Sequence, residues 1–257
     1  MLLCIDVGNT NTVLATFDGD KLVHDWRVKT DARATADELG LLFRGLLAGD
    51  GVELTGVAAC STVPAALRSL RGMLQRYYAG LPHVVVEPGV RTGVQLAIDN
   101  PKEVGADRVV NTLAAYTLYG GPSIVVDFGT TTNFDVVSAR GEFLGGAFAP
   151  GIEISFDALA ARAAQLRKVA PAQPRSVIGK NTVECLQSGM YFGFAGQVDR
   201  IVERMTEELG GVRAVIATGG LAPVVLDECR TITHHAPMIT LVGLRLVYEK
   251  NHGAGAG

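Results

Sequence analysis

The stretch Asp6-Val7-Gly8-Asn9-Thr10-Asn11-Thr12 decides the fold of this 257-residue chain. It follows the apolar residues 2–5 and precedes the mostly apolar residues 13–17, a pattern that predicts a strand, a tight turn and a second strand. We expect Gly8 and Asn9 to supply the positive φ that a hairpin turn requires. An aspartate at the end of a buried strand, beside hydroxyl side chains and free backbone N–H groups, is typical of a site for Mg²⁺-bound phosphate. An ordinary asparagine-rich turn is the alternative.

The same pattern returns as Asp127-Phe128-Gly129-Thr130-Thr131-Thr132-Asn133, again between apolar runs. The two aspartates are 127 − 6 = 121 residues apart, close to half of the 257 residues. Two such units at this separation predict a duplicated α/β domain with one phosphate loop from each half. The arrangement resembles the actin-like, ribonuclease H-like fold of the acetate and sugar kinase, Hsp70 and actin superfamily. That resemblance implies two domains whose loops face each other across a cleft.

Composition limits the class of protein. Hydrophobic residues make up 48% of the chain, which indicates an ordered globular protein. The net charge of −3 gives no electrostatic footprint for nucleic acid or a membrane, and neither is expected as a partner. No apolar stretch approaches the roughly 18–20 residues that span a bilayer, and no basic segment marks a signal peptide. The 4 cysteines are far apart without metal-type spacing, which predicts free thiols and a cytoplasmic enzyme.

Predicted strands and helices alternate along the chain. In the first half we expect strands at residues 21–28, 56–61 and 83–86, and helices at residues 31–48, with a start signal at Thr35, and 64–77. In the second half we expect a long helix over residues 182–209, a strand around residues 231–233 and a helix over residues 238–248. This alternation favours an α/β fold with a mostly parallel sheet covered by helices.

The segment Glu103-Val104-Gly105-Ala106-Asp107-Arg108 leads into a predicted helix. The dipole and free N–H groups of a helix N-terminus favour an anion, and Arg108 can bind a carboxylate through two hydrogen bonds. Asp107 can then act as general base toward a hydroxyl group of the same substrate. The alternative is that Asp107 only caps the helix and Arg108 pairs with a neighbouring acid.

Glycines mark two segments where backbone is expected to approach backbone or a ligand. Gly145 and Gly146 lie within a predicted strand, where simple strand packing is the alternative. Thr218-Gly219-Gly220 follows another predicted strand. In actin-like folds this loop lies against the nucleoside, because glycine admits a flat base or ribose.

Glycines also occur within the long helix predicted over residues 182–209. Gly189, Gly193 and Gly196 would let another helix approach closely, either within the chain or across a dimer interface. Packing within the chain is the simpler explanation.

Taken together, the motifs resemble those of type III pantothenate kinases, in the order of that family and over nearly the whole chain. They are Asp-x-Gly-Asn-Thr from residue 6, Glu-Val-Gly-Ala-Asp-Arg at 103–108, Asp-Phe-Gly-Thr at 127–130, Gly-Gly-x-x-x-Pro-Gly at 145–151, Ile-Gly-Lys-Asn-Thr at 178–182 and Thr-Gly-Gly at 218–220. The resemblance implies ATP-dependent phosphorylation of pantothenate to 4′-phosphopantothenate, the first step toward coenzyme A. It also implies a homodimer, Mg²⁺ and a monovalent cation, K⁺ or NH₄⁺.

The resemblance assigns roles to individual residues. Asp107 is implied as general base, Asp6 as the carboxylate of the Mg²⁺ and phosphate site, and Asp127 as ligand of the monovalent cation. ATP contacts are implied at Asp6, Val7, Gly8, Asn9, Thr10, Asn11, Thr12, Val13, Thr130, Gly219 and Gly220. Substrate contacts are implied at Gly105, Ala106, Asp107, Arg108 and Thr182, the last from the neighbouring subunit. Neither loop contains a lysine, so we expect a bound K⁺ to supply positive charge there.

The chain departs from the family pattern at two places. Ile98 stands seven residues before Gly105, where the family often has tyrosine, and this bears on the shape of the substrate pocket. In the second loop, residues 130–133 read Thr-Thr-Thr-Asn, where alanine and a second threonine are commoner. These replacements keep the loop small and polar, so we expect ATP binding to be retained.

Two other functions remain open from the residues. One is another small-molecule kinase or a phosphohydrolase of the same superfamily, because a fold does not fix the substrate. The other is an accessory regulator of transcription, a role that the family resemblance also raises. The acidic net charge and the lack of a basic stripe argue against direct DNA binding.

The expected domain boundary follows residue 117. Residues 1–117 are predicted to form an N-terminal actin-like domain with the first phosphate loop and the Gly-Ala-Asp-Arg segment. Residues 118–250 are predicted to form a C-terminal actin-like domain with the second phosphate loop and the dimer helix. Residues 251–257 are expected to be a disordered tail.

Overall fold

The computed structural model describes residues 1–49, 51, 53–162 and 169–253. The described strands are β1 (Leu2–Val7), β2 (Asn11–Asp18), β3 (Lys21–Lys29), β4 (Gly56–Ser61), β5 (His83–Val85), β6 (Ser123–Phe128), β7 (Thr131–Val137), β8 (Phe143–Pro150), β9 (Ala214–Thr218) and β10 (His234–His235). The described helices are α1 (Ala36–Ala48), α2 (Pro64–Tyr77), α3 (Ala106–Tyr119), α4 (Ile152–Arg162), α5 (Thr182–Leu209) and α6 (Ile239–His252).

The first compact unit is built on a five-stranded sheet in the order β3-β2-β1-β4-β5. The β1–β2 and β2–β3 pairs are antiparallel, and the β1–β4 and β4–β5 pairs are parallel. Leu3, Ile5 and Val7 of β1 pack with apolar residues of α1 and α2 such as Phe43 and Leu70. Burial of these side chains fixes which face of β1 meets the core, because alternate residues of a strand point to opposite faces. The even-numbered residues of β1, including Asp6, therefore lie on the other face.

The second compact unit repeats this topology. Its sheet has the order β8-β7-β6-β9-β10, with β6–β7 and β7–β8 antiparallel and β6–β9 and β9–β10 parallel. Each strand of the first sheet has an equivalent in the second, which confirms the predicted duplication. The expectation of a mostly parallel sheet is wrong. Tight turns between the first three strands of each unit force antiparallel neighbours, and only longer connections give parallel ones.

Most of the predicted helices begin next to a local helix-start signal in the sequence. Thr35 closes a capping box in which its hydroxyl accepts from the N–H of Glu38 at 3.3 Å and its own N–H donates to that glutamate at 2.8 Å. Pro64 is the first residue of α2, and Asn181 caps α5. The last strand, expected at residues 231–233, is found at His234–His235. The N–H groups of Arg230 and Thr231 instead donate to the carboxylate of Asp199 in α5, so that stretch is held by a side chain.

The two compact units do not follow the chain in order. The first comprises Met1–Val94, Asp99–Ala114 and the chain from Ile239 onward, and the second comprises Gln95–Ile98 and Ala115–Met238. The helix α6, expected in the second domain, lies in the first because it packs on β1 and β4. It also includes Asn251 and His252, at the start of the predicted tail, while residues 254–257 lie outside the described residues.

None of the helices in the described part of the chain combines the length and apolar composition needed to cross a bilayer.

Candidate active site

The stretch predicted to be the first phosphate loop, residues 6–12, contains a tight turn at the carboxyl end of β1. The N–H of Gly8 donates to the carbonyl of Asn11 at 3.0 Å, and Asn9 and Thr10 are exposed at the tip. The expectation of positive φ is wrong, since neither Gly8 nor Asn9 adopts it. Glycine at position 8 instead allows the backbone to pass close to Asn11, since a Cβ there would lie 3.1 Å from the carbonyl oxygen of Asn11.

The loop is fastened to the end of β3. The N–H of Thr30 donates to the carbonyl of Thr10 at 2.9 Å, and the hydroxyls of Thr12 and Thr30 are hydrogen-bonded at 2.9 Å. Thr12 is buried. These bonds hold the loop in one position relative to the sheet, as a preorganised binding site requires.

Asp6 is partly buried and is the last residue but one of β1. The thiol of Cys60, on the neighbouring strand β4, donates to Asp6 Oδ1 at 3.3 Å. Burial, followed by the negative charge of Asp107, raises the pKa of Asp6 from 3.8 to about 7, although Cys60 and the positive charge of Arg27 act in the opposite direction. The ionised carboxylate of Asp6 is therefore under-compensated by the protein and would be stabilised by a cation.

Asp107 lies inside the first turn of α3, which begins at Ala106. Its carboxylate accepts hydrogen bonds from its own N–H and from that of Arg108, which is the kind of contact that the simpler alternative, a capping role, requires. Its Oδ1 is buried without a hydrogen-bond partner in the described structure. A Cβ at position 105 would stand 2.5 Å from that oxygen, so glycine leaves room for the carboxylate. Burial raises the pKa of Asp107, and N–H groups of the first turn and the charge of Arg108 only partly oppose this effect.

The first unit thus holds two carboxylates of different character. Asp6 sits at a strand end beside a phosphate-type loop, and Asp107 sits at a helix start with one oxygen unpartnered. A carboxylate with a raised pKa is a better proton acceptor at neutral pH than an ordinary one. The pair can therefore hold a cation at one carboxylate and accept a proton at the other.

The stretch predicted to be the second phosphate loop, residues 127–133, occupies the equivalent place in the second unit. Asp127 is again the last residue but one of a six-residue strand, with the same burial pattern as in β1. Its parallel neighbour in β9 is Thr218, just as Cys60 is the parallel neighbour of Asp6. The N–H of Gly129 donates to the carbonyl of Thr131 at 3.0 Å, which closes the turn.

Gly219 packs directly against this loop. It adopts φ +90°, and a Cβ there would lie 2.5 Å from Asp127 Oδ1 and 2.6 Å from the backbone of Phe128. Glycine is therefore required at this position for both conformation and space. Gly220 and Thr130 are exposed beside it, so their polar backbone and hydroxyl groups are accessible to a ligand.

Two glycines of the motif at residues 145–151 also make close backbone contacts. A Cβ at Gly146 would lie 1.6 Å from the carbonyl oxygen of Phe134, and one at Gly151 would lie 2.3 Å from that of Thr130. For Gly146 the close approach is to the neighbouring strand β7, as the alternative of simple strand packing predicts. Gly145 adopts φ +101°, a conformation that side chains rarely take.

Thr182 begins α5 and is exposed. Along the same helix Gly189, Gly193 and Gly196 are exposed, and a Cβ at each would meet no described atom within 4 Å. No residue in the described part of the chain therefore packs against these three glycines.

Carboxylates at this site could take part in holding Mg²⁺. The described residues include no group of three or more His, Cys, Asp and Glu side chains able to hold a metal ion by themselves. Mg²⁺ is commonly bound by one or two carboxylates together with phosphate oxygens and water, so a single partly buried Asp6 fits a metal that arrives with a nucleotide.

Cys60 was not among the predicted site residues. Its position in an apolar strand indicated only a buried free thiol, and it is indeed free and fully buried. No local sequence signal points to this contact, because it depends on the register in which β4 pairs with β1, and a shift of one residue would turn Cys60 away from Asp6.

Comparison with known proteins gives a consistent result. A family model described as type III pantothenate kinase matches residues 2–204. The type III pantothenate kinase of Salinispora arenicola is 86% identical over 251 residues, covering 98% of this chain and 100% of the relative. That of Acidothermus cellulolyticus is 68% identical over 255 residues, covering 98% and 99%.

Solved structures support the fold. A conserved putative Baf family transcriptional activator from Campylobacter jejuni matches with a TM-score of 0.61 at 17% identity, covering 97% of this chain and 98% of that one. An inorganic polyphosphate/ATP-glucomannokinase from Arthrobacter matches with a TM-score of 0.54 at 16% identity, covering 98% and 99%. The predicted actin-like fold is confirmed.

Proposed function

Because the chain belongs to the type III pantothenate kinase family, we propose that it transfers the γ-phosphoryl group of ATP to the 4′-hydroxyl of pantothenate, the first step of coenzyme A biosynthesis. The observation that carries the assignment of roles is the pair of carboxylates in the first unit. Asp107 has a buried, unpartnered oxygen and a raised pKa, and Asp6 stands close enough for the two charges to interact. Asp107 is the general base in this proposal.

The chemistry follows from the two environments. Phosphoryl transfer depends on positioning and on neutralising charge, with little covalent work for the protein. The exposed tip of the first loop, Asn9 and Thr10 with the backbone around Gly8, would bind the phosphates. Asp107 would accept the hydroxyl proton of pantothenate as the new P–O bond forms, and Arg108 would bind the carboxylate of pantothenate. When bound with ATP, Mg²⁺ would offset phosphate charge beside Asp6.

The residues proposed to bind ATP are those of the two loops and of the glycine turn: Asp6, Val7, Gly8, Asn9, Thr10, Asn11, Thr12, Val13, Thr130, Gly219 and Gly220. The residues proposed to bind pantothenate are Gly105, Ala106, Asp107, Arg108 and Thr182. The close packing of Gly219 on Asp127 supports a role for this turn in nucleotide binding, since any side chain there would displace the second loop.

A monovalent cation, K⁺ or NH₄⁺, is proposed to bind at Asp127. This carboxylate stands where Asp6 stands in the first unit, and neither loop contains a lysine that could neutralise phosphate charge. Equal activity with Na⁺, K⁺ or a bulky organic cation as the sole monovalent ion would contradict this assignment.

A homodimer is proposed, with Thr182 completing the pantothenate site of the neighbouring subunit. The support is the exposed glycine face of α5 and a set of exposed apolar side chains in the second unit. This set comprises Leu144, Phe148, Ile154, Leu159, Val177, Ile178 and Val183. A dimer would cover these side chains where they adjoin, since contiguous apolar patches usually mark an interface. A Thr182→Ala variant should raise the KM for pantothenate and leave the dimer intact.

A cytoplasmic location is proposed as well. The four described cysteines are all free, two of them buried, one partly buried and one exposed, and free thiols persist in a reducing compartment.

The test of the reaction is ADP release by the purified protein with Mg²⁺ and ATP, measured with and without pantothenate, in K⁺ and in Na⁺. Release that depends on pantothenate establishes the kinase, and release without it would indicate a phosphohydrolase. Asp107→Asn should lower kcat by roughly 10²–10⁴-fold, the usual contribution of a general base. The matched control is Asp18→Asn, which removes an exposed carboxylate at the end of β2. A loss of less than tenfold in Asp107→Asn would mean that Asp107 only positions the substrate.

A further inference from the structure

Arg27 on β3 lies in one row of side chains with Asp6. The register pairs Cys60 with Asp6, Asp6 with Val13, and Val13 with Arg27. Paired residues of neighbouring strands place their side chains on the same face of the sheet. Two strand spacings separate Asp6 from Arg27, or about 10 Å between their Cα atoms.

The opposite face of β3 is occupied by the core. Trp26 and Val28 pack against the apolar cluster formed with α1 and α2. Arg27 lies between them in the strand and therefore points to the face that carries Asp6. Its side chain is exposed, and it makes no hydrogen bond or ion pair within the described ranges of the chain. Its positive charge is nevertheless near enough to oppose the rise in the pKa of Asp6.

The position of Arg27 is fixed relative to the first phosphate loop. Three residues later, Thr30 is bonded both to the backbone of Thr10 and to the hydroxyl of Thr12, each at 2.9 Å. An exposed arginine on a free surface would be a solvated charge without a role. Here the end of β3, the strand that carries Arg27, is hydrogen-bonded to the first phosphate loop. The loop itself contains no lysine or arginine.

From this placement we propose that Arg27 binds the phosphate groups of the nucleotide held by the first loop. The guanidinium group of Arg27 offers a planar pair of N–H donors that matches phosphate oxygens. It would neutralise phosphate charge, which the carboxyl group of Asp6 cannot do because it carries no positive charge in either protonation state. The inference rests on the proposed function, because it takes ATP as the ligand of this loop.

The test is equilibrium binding of ADP and of a non-hydrolysable ATP analogue in the presence of Mg²⁺, by titration calorimetry. Arg27→Gln should raise the Kd for both nucleotides by roughly 10- to 100-fold, the usual effect of losing a hydrogen bond between charged groups. Arg27→Lys keeps the positive charge but lacks the paired N–H donors of the guanidinium group, so it should recover part of the nucleotide affinity. Lys21→Gln removes one exposed cation from the opposite end of the same strand and should change the Kd by less than about twofold.

Steady-state kinetics distinguish a loss of nucleotide binding from a general loss of activity. In Arg27→Gln the KM for ATP should rise while the KM for pantothenate stays at the wild-type value. Nucleotide affinity in Arg27→Gln equal to that of the wild type would overturn the inference and leave the proposed function standing. So would an equal loss in Lys21→Gln, since the effect would then reflect net charge alone. A wild-type protein that binds neither nucleotide would overturn the proposed function as well.

Discussion

Asn in place of Asp6 should make the protein more stable at neutral pH while removing its activity. In the folded chain, burial and the nearby charge of Asp107 raise the pKa of Asp6 from 3.8 to about 7. Between these two values the folded protein keeps a proton that the unfolded chain has lost. Stability that depends on this proton is complete below pH 3.8 and decreases as the pH rises to about 7.

The magnitude follows from the same values. Each pH unit within this window removes about 1.4 kcal/mol from the free energy of unfolding, so up to about 4 kcal/mol separates its two ends. That is a large part of the roughly 5–15 kcal/mol that stabilises a typical domain. The Asp6→Asn side chain has the same shape and does not titrate, so its stability advantage over the wild type should grow up to pH 7 and then level off.

The assay is urea unfolding of both proteins at pH 5, 6, 7 and 8, without Mg²⁺ or nucleotide, with Asp18→Asn as a control for the loss of an exposed carboxylate. Asp107→Asn should flatten part of the wild-type pH dependence, because it removes the second cause of the raised pKa. Parallel pH profiles for the wild type and Asp6→Asn would refute the reasoning, since Asp6 would then titrate alike in the folded and unfolded states.

Three further outcomes are expected. In α1, Gly45→Ala should stabilise the protein by about 1 kcal/mol because the new Cβ meets open space. Gly40→Ala in the same helix should destabilise it by about 1–3 kcal/mol because the new Cβ would lie 2.5 Å from a tyrosine ring of α2. Thermal unfolding of both variants checks this contrast. Gly219→Ala should weaken nucleotide binding at least tenfold because the new Cβ would clash with the side chain of Asp127. Calorimetric titration with ADP would measure the loss, and unchanged affinity would exclude this turn from the nucleotide site. Cys60→Ala should lower kcat several-fold because the carboxylate of Asp6 loses the hydrogen bond from the thiol. Cys60→Ser should recover part of this kcat in the same ADP-release assay, and equal losses in both variants would indicate a packing effect alone.

Local sequence signals predicted most of the elements correctly. Thr35 and Glu38 mark the start of α1 because their capping box is completed by hydrogen bonds within three residues. Pro64 marks the start of α2 because its fixed φ suits the first helical position. The two strand–turn–strand units were likewise visible, since each lies within one short stretch. Positive φ at Gly8 was not found, because the Gly8–Asn11 hydrogen bond closes the turn without it.

The sequence by itself determined the duplicated fold, the two aspartates at equivalent strand ends and the motifs that place the chain in its family. The tertiary structure decided which distant residues meet them. The thiol of Cys60 reaches Asp6 across 54 residues, Arg27 shares its row through the register of three strands, and α6 returns to the first unit. Hydrophobic periodicity and capping operate over a few neighbouring residues, so they can be predicted from the sequence. Strand register and helix docking depend on packing between segments far apart in the chain, and only the folded protein shows that packing.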